Sequence, residues 1–163
     1  MAGMVTLVEA TAPELVSVSR RLFEEYAAGI GVDLCFQNFD EELAGLPGKY
    51  APPEGRLILA KSDSGYPGCV ALRKLDKGIC EMKRLYVRPE FRGQGIGRSL
   101  ATEVIAQGRK IGYGAMRLDT LASMKAAIAL YESLGFRRVE PYCHNPEREA
   151  VFMELDLRSM KAL

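Results

Sequence analysis

The sequence predicts an α+β protein with one mixed, mostly antiparallel sheet of about six to seven strands flanked by about four helices. Three observations support this class. Two segments with helical spacing come early, three strand patterns joined by hairpin turns follow, and strands and helices then alternate to the C-terminus. The length of 163 residues suits a single domain, residues 1–163, with a sizeable core.

The N-terminal region is predicted to form a strand followed by two helices. "MVTLVEA" (4–10) alternates weakly between apolar and polar residues, as strands do, and Pro13 suits the first turn of a helix. That helix should end at Gly31 as its C-cap. Its apolar face is formed by residues at helical spacing, namely Leu15, Val18, Leu22, Tyr26 and Ile30. A second, short helix is predicted for "DEELAGL" (40–46).

Three strands are predicted next, and the third is irregular. "RLILAKS" (56–62), "GCVALRKL" (68–75) and "GICEMKRLYV" (78–87) are separated by the hairpin sequences "DSGYP" and "DKG". Strict alternation in the third strand would mix charged residues with apolar ones on one face. A one-residue bulge after Met82 would restore a single apolar face, containing Met82, Leu85 and Val87. We therefore expect this strand to diverge from the strand at 115–121 and to expose backbone groups to a ligand.

The C-terminal half begins with the glycine-rich stretch "RGQGIG" (92–97). A helix follows, with one face formed by Ile96, Leu100, Val104 and Ile111, and it should end at Gly112 to Gly114. The remaining elements are listed in order: strand "AMRLDTL" (115–121), helix "SMKAAIALYESLG" (123–135) capped by Ser123 and closed by Gly135, and strands "FRRVEPYC" (136–143) and "AVFMELDL" (150–157).

The three glycines indicate a phosphate site. A glycine-rich loop between a strand and a helix offers unpaired N–H groups at the positive end of the helix dipole, and Arg92 and Arg98 flank this loop. The spacing of Gly93, Gly95 and Gly97 fits neither the Walker loop nor the dinucleotide fingerprint. On these residues alone, a tight strand-to-helix connection without a ligand is the alternative.

The composition limits the partners and the location. A net charge of +1 predicts no general attraction to nucleic acid or to an anionic membrane. The four cysteines, Cys35, Cys69, Cys80 and Cys143, show no metal-ligand or redox spacing, so no metal is expected and free thiols in a reducing cytosol fit best. The N-terminus lacks a signal-peptide pattern, and no segment has 18 consecutive apolar residues. We therefore expect a soluble, cytoplasmic protein.

Two ordered motifs resemble those of the GNAT superfamily of N-acetyltransferases. Arg92-x-x-Gly95-x-Gly97 is similar to its acetyl-CoA signature, Arg/Gln-x-x-Gly-x-Gly/Ala, and "AAIALYESLGFRRV" (126–139) is similar to its second hallmark. The similarity runs from about Arg56 to Leu157, and it resembles the bacterial-type, single-domain members. It implies the GNAT fold, with a bulged and splayed strand pair, and an acetyl-CoA-dependent N-acetyltransferase acting directly on a primary amine of a small molecule, peptide or protein. The alternative is a non-catalytic acyl-CoA sensor.

The resemblance also implies the position of acetyl-CoA. Its pantetheine arm would pair with the backbone of Leu85, Tyr86 and Val87. Its pyrophosphate would lie on the N–H groups of the glycine loop and the following turn, namely Arg92, Gly93, Gln94, Gly95, Ile96, Gly97, Arg98 and Ser99. A Cβ at any of the three glycines would hinder this approach.

The implied catalytic residues are Glu81 and Tyr131. Direct transfer needs a base for the ammonium acceptor and an acid for the departing thiolate. Tyr131 matches the helix tyrosine that usually protonates the coenzyme A sulfur, but its helical spacing also fits a packed core residue. Glu81 is the best candidate base, with a solvated carboxylate or a partner of Lys83 or Arg84 as the alternative.

The residues implied for the acceptor are less specific. Phe36 and Asn38 lie in a region that shapes acceptor choice in relatives, and Tyr142 and Asn145 lie in a polar turn that could line the pocket; ordinary loop packing is the alternative. Met124 stands near the start of its helix where many relatives have asparagine, so a polar contact to the cofactor is in doubt. Dimers are frequent in the family, which leaves a homodimer open.

Overall fold

The computed structural model describes residues 4–30, 38–143, 145 and 149–158. Within these residues, seven strands form one sheet in the order β1-β2-β3-β4-β5-β7-β6, together with four helices. The strands are β1 (Thr6–Glu9), β2 (Arg56–Ser62), β3 (Gly65–Asp76), β4 (Ile79–Val87), β5 (Ala115–Leu121), β6 (Arg137–Val139) and β7 (Ala150–Asp156). The helices are α1 (Pro13–Ile30), α2 (Phe39–Ala44), α3 (Ile96–Ile111) and α4 (Lys125–Ser133). The α+β prediction is confirmed.

Strand directions follow from the connections. β1 to β4 pair antiparallel with their neighbours, as do β5 with β7 and β6 with β7. β4 and β5 are parallel, because the chain returns through α3 before it enters β5. The sheet is therefore mixed and mostly antiparallel, as the sequence predicts.

Several element boundaries differ from the sequence prediction. β3 begins at Gly65, inside the predicted hairpin sequence "DSGYP", and α2 covers Phe39–Ala44 instead of 40–46. Met124, not Ser123, occupies the N-cap position of α4, and its carbonyl accepts the helical bond from Ile128 N–H at 3.0 Å. The strand predicted for 136–143 is limited to β6, Arg137–Val139. Pro141 has no N–H to donate to a ladder, which explains the early end of this strand.

The sheet separates two hydrophobic cores. Alternate residues of β2 and β3 point to opposite faces, so that Ile58 and Val70 join one core while Leu59 and Cys69 join the other. The first core contains the apolar face of α3: Ile96, Leu100, Ala101, Val104 and Ile105. The second contains the buried face of α1 and the start of α2: Val18, Leu22, Phe23 and Phe39.

The predicted bulge lies in β4. Ala71 pairs with Lys83 and Cys69 with Tyr86, so two steps along β3 match three steps along β4. Arg84 adopts the left-handed conformation with φ of 60°, which accommodates the extra residue. Met82, Leu85 and Val87 all contact the same core, as the sequence predicts.

The predicted divergence of β4 from β5 is also present. Three residue pairs join the two strands: Ile79 with Ala115, Cys80 with Met116, and Glu81 with Arg117. Within the described residues, these two strands pair no further, and a gap opens after Glu81. The second half of β4 therefore pairs with β3 on one side and faces this gap on the other.

The cysteines and helices bear on the expected location. Cys69 and Cys80 are buried free thiols and Cys143 is an exposed one, whereas Cys35 lies outside the described residues. Among residues 4–30, 38–143, 145 and 149–158, no helix combines the length and apolar character that a membrane span requires.

Candidate active site

Two of the three glycines in the loop have backbone angles that favour glycine. The loop follows β4 through a short 3-10 turn, Pro89–Phe91. Gly93 and Gly95 both have φ of 81°, and a Cβ at either would meet no other atom within 4 Å. Glycine is therefore favoured here by the backbone, and the space above the loop is open.

Gly97 is different, because it lies in the first turn of α3. A Cβ there would contact Val87 Cγ2 at 3.7 Å and Leu130 Cδ2 at 3.8 Å, which are ordinary contact distances. Packing alone therefore permits alanine at this position.

The N-terminus of α3 has no side-chain cap. Gly95 occupies the N-cap position, and the first intrahelical bond runs from Ser99 N–H to Gly95 O at 3.1 Å. The N–H groups before Ser99 consequently have no partner within the helix. Together with the positive end of the helix dipole, they can bind a phosphate group.

Other loop side chains hold the surrounding structure. Arg92 Nε donates to Val87 O at 3.0 Å, and its N–H donates to Pro89 O at 3.3 Å. Arg98 Nη2 donates to Ser133 Oγ at 2.9 Å and so joins α3 to the end of α4. Ile96 is buried in the core while Gln94 is exposed. Both arginine side chains thus contact protein atoms beside the open loop.

Glu81 lies where β4 and β5 separate, and it is 1% exposed. Arg73 Nε donates to Oε1 at 2.8 Å, and the Tyr142 hydroxyl donates to Oε2 at 2.6 Å. Lys83 Nζ lies 3.9 Å from Oε1. Of the alternatives for Glu81, a solvated carboxylate and a pair with Arg84 are wrong, whereas proximity to Lys83 is correct.

Sequence reasoning missed Arg73 as the main partner of Glu81. The β3–β4 register places these two residues directly opposite each other, as in other charged cross-strand pairs. The "DKG" hairpin was a usable signal. However, the register shifts between Lys74 and Asp76, so counting residues back from the turn would not have found the pair.

A cavity of about 430 Å³ opens beside Glu81. It lies between α2, the 3-10 turn Gly48–Tyr50, and strands β3 and β4. Its polar lining includes Asn38, Glu41, Lys49, Arg73, Glu81 and Lys83. The cavity is large enough for a small acceptor or the end of a peptide.

The turn after β6 contacts both sides of the gap. The Tyr142 ring packs against Phe152 with centroids 5.2 Å apart, and the Arg117 guanidinium lies 5.3 Å from its centroid. Burial and the nearby Glu81 raise the pKa of Tyr142. Asn145 Nδ2 donates to Asp119 Oδ2 at 3.1 Å.

The other two residues implied for the acceptor differ in what the structure describes. Asn38 lines the cavity and adopts a left-handed conformation before α2, with φ of 56°. Phe36 lies outside the described residues.

Tyr131 belongs to the buried face of α4, is part of the first core and is 7% exposed. Its ring packs edge-on against Phe136 with centroids 5.8 Å apart. Burial raises the pKa of Tyr131, and Tyr26 and Asp119 raise it further. The hydroxyl therefore stays protonated at neutral pH, as a proton donor must, while its burial agrees with the packing interpretation.

Comparisons with known proteins identify the family. The model of the acetyltransferase (GNAT) family matches residues 19–136. An uncharacterized N-acetyltransferase from Schizosaccharomyces pombe is 45% identical over 147 residues, which cover 89% of this chain and 90% of that protein. This chain belongs to the acetyltransferase (GNAT) family. It is accordingly an acetyl-CoA-dependent N-acetyltransferase, as the sequence predicts.

Solved GNAT structures share the fold. An acetyltransferase of the GNAT family from Staphylococcus aureus Mu50 superimposes with a TM-score of 0.79 at 18% identity, covering 95% of this chain and all of that one (100%). A putative acetyltransferase from Salmonella typhimurium, solved with its cofactor acetyl-CoA, gives a TM-score of 0.66 at 21% identity and covers 97% of this chain and 96% of that one. The predicted GNAT fold is confirmed.

Two ion pairs beside the bulge of this GNAT protein were not predicted. Arg84 donates from Nε and Nη2 to the two carboxylate oxygens of Glu42, both at 2.9 Å. Arg88 makes the same type of bidentate pair with Glu25, at 2.9 and 2.8 Å. The first pair joins β4 to α2, and the second joins the end of β4 to α1. Neither pair has a local sequence signal, because its members are 42 and 63 residues apart.

Proposed function

We propose that this GNAT protein binds its acceptor amine in the cavity beside Glu81 and acetyl-CoA along the gap between β4 and β5. The observation that carries the proposal is the end of β4–β5 pairing at Glu81. At this point the open edge of β4 meets a buried carboxylate that lines a cavity. An acetyl group on one side and an amine on the other would therefore meet at the bulge.

The donor side of the proposed site consists mainly of backbone. The uncapped N–H groups from Gly93 to Arg98 would bind the pyrophosphate. The edge formed by Leu85, Tyr86 and Val87 would pair with pantetheine, because β5 has diverged from it. N–H groups at the bulge would then stabilise the charge that develops on the thioester oxygen.

Glu81 would accept the proton of the ammonium group through Tyr142. Since Glu81 is 1% exposed, a direct contact with an amine in the cavity is restricted. The Tyr142 oxygen would take the amine proton while its own proton moves to Glu81 Oε2, with which it already shares a 2.6 Å hydrogen bond. Arg73 would hold the carboxylate in place through Oε1.

Tyr131 would complete the transfer as the general acid. The neutral amine nitrogen forms a bond to the thioester carbon, and the carbon–sulfur bond breaks. The Tyr131 hydroxyl would donate its proton to the departing sulfur. The nitrogen then loses its surplus proton, which would return through solvent to the Tyr131 oxygen and restore the acid. Burial raises the pKa of Tyr131 above the ordinary tyrosine value of about 10, so the hydroxyl carries its proton at neutral pH but is a weaker acid than an exposed tyrosine.

One observation favours a second candidate role for Glu81, that of a structural residue. Both of its oxygens already accept hydrogen bonds, one from Arg73 and one from Tyr142. If these bonds serve only to hold the turn after β6 against β4, the acceptor amine would lose its proton to solvent and not to Glu81.

A pH–rate profile would separate these two roles of Glu81. A panel of primary amines, followed by the release of free thiol, would first identify an acceptor. Glu81→Gln and Tyr142→Phe should then lower kcat/KM by about 10²-fold below the pKa of that acceptor, where the ammonium form dominates. The defect should shrink at higher pH, because free amine needs no base.

The matched control is Glu9→Gln. Glu9 Oε1 lies 3.7 Å from Arg56 Nε on a neighbouring strand and does not line the cavity, so its profile should follow the wild type. A wild-type profile for Glu81→Gln would reject the base. A wild-type profile for Tyr142→Phe alone would reject the relay. Wild-type profiles for both variants would leave Glu81 as a structural residue.

A further inference from the structure

Arg84 combines two unfavourable features at the bulge. It adopts a left-handed backbone conformation, with φ of 60°, which a non-glycine residue rarely does. Its guanidinium group is also buried, since the residue is 4% exposed. A glycine would adopt the same backbone angle without strain and without burying a charge. The arginine side chain must therefore make contacts that offset both costs.

These contacts reach three separate elements. The guanidinium pairs with both carboxylate oxygens of Glu42 and lies between two rings, 5.1 Å from the centroid of Phe39 and 5.9 Å from that of Tyr26. The Arg84 carbonyl accepts a hydrogen bond from Cys69 Sγ at 3.3 Å. Burial alone would lower the pKa of Arg84, but the hydrogen bonds to Glu42 and the electrostatic effects of Tyr50, Glu42 and Tyr26 together outweigh it and raise that pKa. The residue is thus fixed to α1, α2 and β3.

The position of Arg84 connects the two halves of the proposed site. The next residue, Leu85, begins the edge proposed for pantetheine. The ion-pair partner of Arg84, Glu42, belongs to α2. This helix forms one wall of the acceptor cavity, which both Glu41 and Glu42 line. One side chain therefore links the wall beside the amine to the backbone beside the thioester.

We propose that Arg84 is a positioning residue whose bidentate pair with Glu42 sets the distance between the acceptor wall and the bulge. This inference rests on the proposed function. Small displacements of two reacting groups have large effects on rate, about 10²-fold for 1 Å. Loss of the pair should therefore lower kcat and raise the KM of the acceptor, whereas acetyl-CoA affinity should change little, because its proposed contacts are backbone groups beyond Arg84.

Arg84→Gly tests this directly, because glycine keeps the backbone angle and removes the pair. We expect kcat to fall by about 10- to 10²-fold with the identified acceptor. Added guanidinium ion should partly restore kcat by entering the space between Phe39, Tyr26 and Glu42. α2 keeps a second attachment, the 2.8 Å hydrogen bond from Arg20 Nε to Leu43 O, so the fold should survive.

A matched pair of variants tests it independently of Arg84→Gly. Glu42→Gln and Glu25→Gln each weaken one bidentate pair to an arginine of the β4 segment, but only Glu42 borders the acceptor cavity. Glu42→Gln should reproduce the kinetic defect, and Glu25→Gln should not. If Arg84→Gly does not fold, the comparison of Glu42→Gln with Glu25→Gln tests the inference without it.

Three results would overturn the inference, and they are distinguishable. Wild-type kcat and KM in Glu42→Gln and in folded Arg84→Gly, with only a lower Tm, would make Arg84 a packing residue and leave the proposed function intact. A wild-type protein that acetylates no amine would overturn the proposed function and this inference with it. A rise in the Kd of acetyl-CoA that equals the loss in kcat/KM would place Arg84 on the donor side instead.

Discussion

The donor and acceptor sides of the proposed site are built in different ways. The donor side uses two short stretches of backbone, 85–87 and 92–99, and the glycine angles at Gly93 and Gly95 shape one of them. The acceptor side uses side chains from α2, β3, β4 and the turn after β6. Its members, from Asn38 to Cys143, are more than one hundred residues apart.

The donor site is thus formed by residues that are close in sequence, whereas the acceptor site is assembled from residues that are distant in sequence. A backbone site depends on φ and ψ angles that neighbouring residues determine, so a short motif can encode it. A side-chain site depends on which strands pair and in what register, so no single stretch encodes it. Substitutions on the donor side should therefore affect one ligand, and those on the acceptor side should affect rate and acceptor specificity.

The largest effect is expected on the donor side. Gly95→Asp should weaken acetyl-CoA binding by about 5- to 10³-fold, because like charges about 4 Å apart cost from about 1 kcal/mol in bulk water to about 4 kcal/mol near a protein surface. Titration calorimetry would measure this loss.

Gly95→Asn is the matched control, since asparagine has the same shape without the charge and tolerates the left-handed angle. Gly97→Ala is a second control, because a Cβ fits there at ordinary contact distances. Equal affinity of the Gly95→Asp and Gly95→Asn variants for acetyl-CoA would show that the diphosphate does not bind at this loop.

The next effect is expected at Tyr131, which lies close to neither stretch of donor backbone in sequence. Tyr131→Phe keeps the packing against Phe136 and should lower kcat by about 10²-fold, the usual range for a general acid. The Kd of acetyl-CoA should change little. Stopped-flow or steady-state thiol release would measure the rate.

Tyr113→Phe provides a comparison for Tyr131→Phe. Tyr113 is also a buried tyrosine, and its hydroxyl donates to Glu54 O at 2.7 Å away from the gap. This variant should lose about 1 kcal/mol of stability and keep its kcat. Full activity of Tyr131→Phe would leave Tyr131 as a packing residue.

The smallest effect is expected outside both sides of the site, at Glu25. The hydrogen bonds from Arg88 lower the pKa of Glu25 in the folded protein. A lowered folded pKa stabilises the protein fully above the ordinary glutamate value of about 4.3, and the gain is lost as the pH falls through the lower folded value. For this half-exposed pair we expect about 0.2–1 kcal/mol.

Urea unfolding of the wild type and Glu25→Gln would measure this gain. The wild type should be the more stable at pH 7, and the difference should disappear in strong acid. A difference that is constant from pH 7 to pH 2 would contradict the assignment to ionised Glu25. Unchanged kcat in Glu25→Gln would show that the pair between Arg88 and Glu25 contributes to stability and not to catalysis.

The sequence allowed much of the fold and the donor side to be predicted. The bulge in β4 was predictable because strict alternation would have placed charged and apolar side chains on the same face of the strand. One extra residue removes this conflict and puts Met82, Leu85 and Val87 on one face. The glycine loop was predictable because its conformation is local. The extent of β6 was overestimated, because the apolar and aromatic residues near Pro141 have a strand-like pattern. Pro141 lacks a backbone N–H and so cannot continue the strand ladder.

The acceptor side resisted prediction for a physical reason. A slip of one residue in the β3–β4 register would turn Arg73 to the other face, and the register here contains two irregularities. The pair between Arg84 and Glu42 depends on a left-handed angle that arginine adopts only when tertiary contacts favour it. Such contacts exist only after α2 has packed on the sheet.

The three residue pairs between β4 and β5 also have a mechanical consequence. Within the described chain they are the only ladder that joins β1–β4 to β5–β7, so the sheet consists of two parts joined along a short seam. α3 packs across this seam at Gly108, where an added Cβ would meet Met116 of β5 and Cys80 of β4. A ligand laid along the free edge of β4 would lengthen this seam. Binding of the donor would thereby add contacts along the line where the two parts of the sheet now share only three residue pairs.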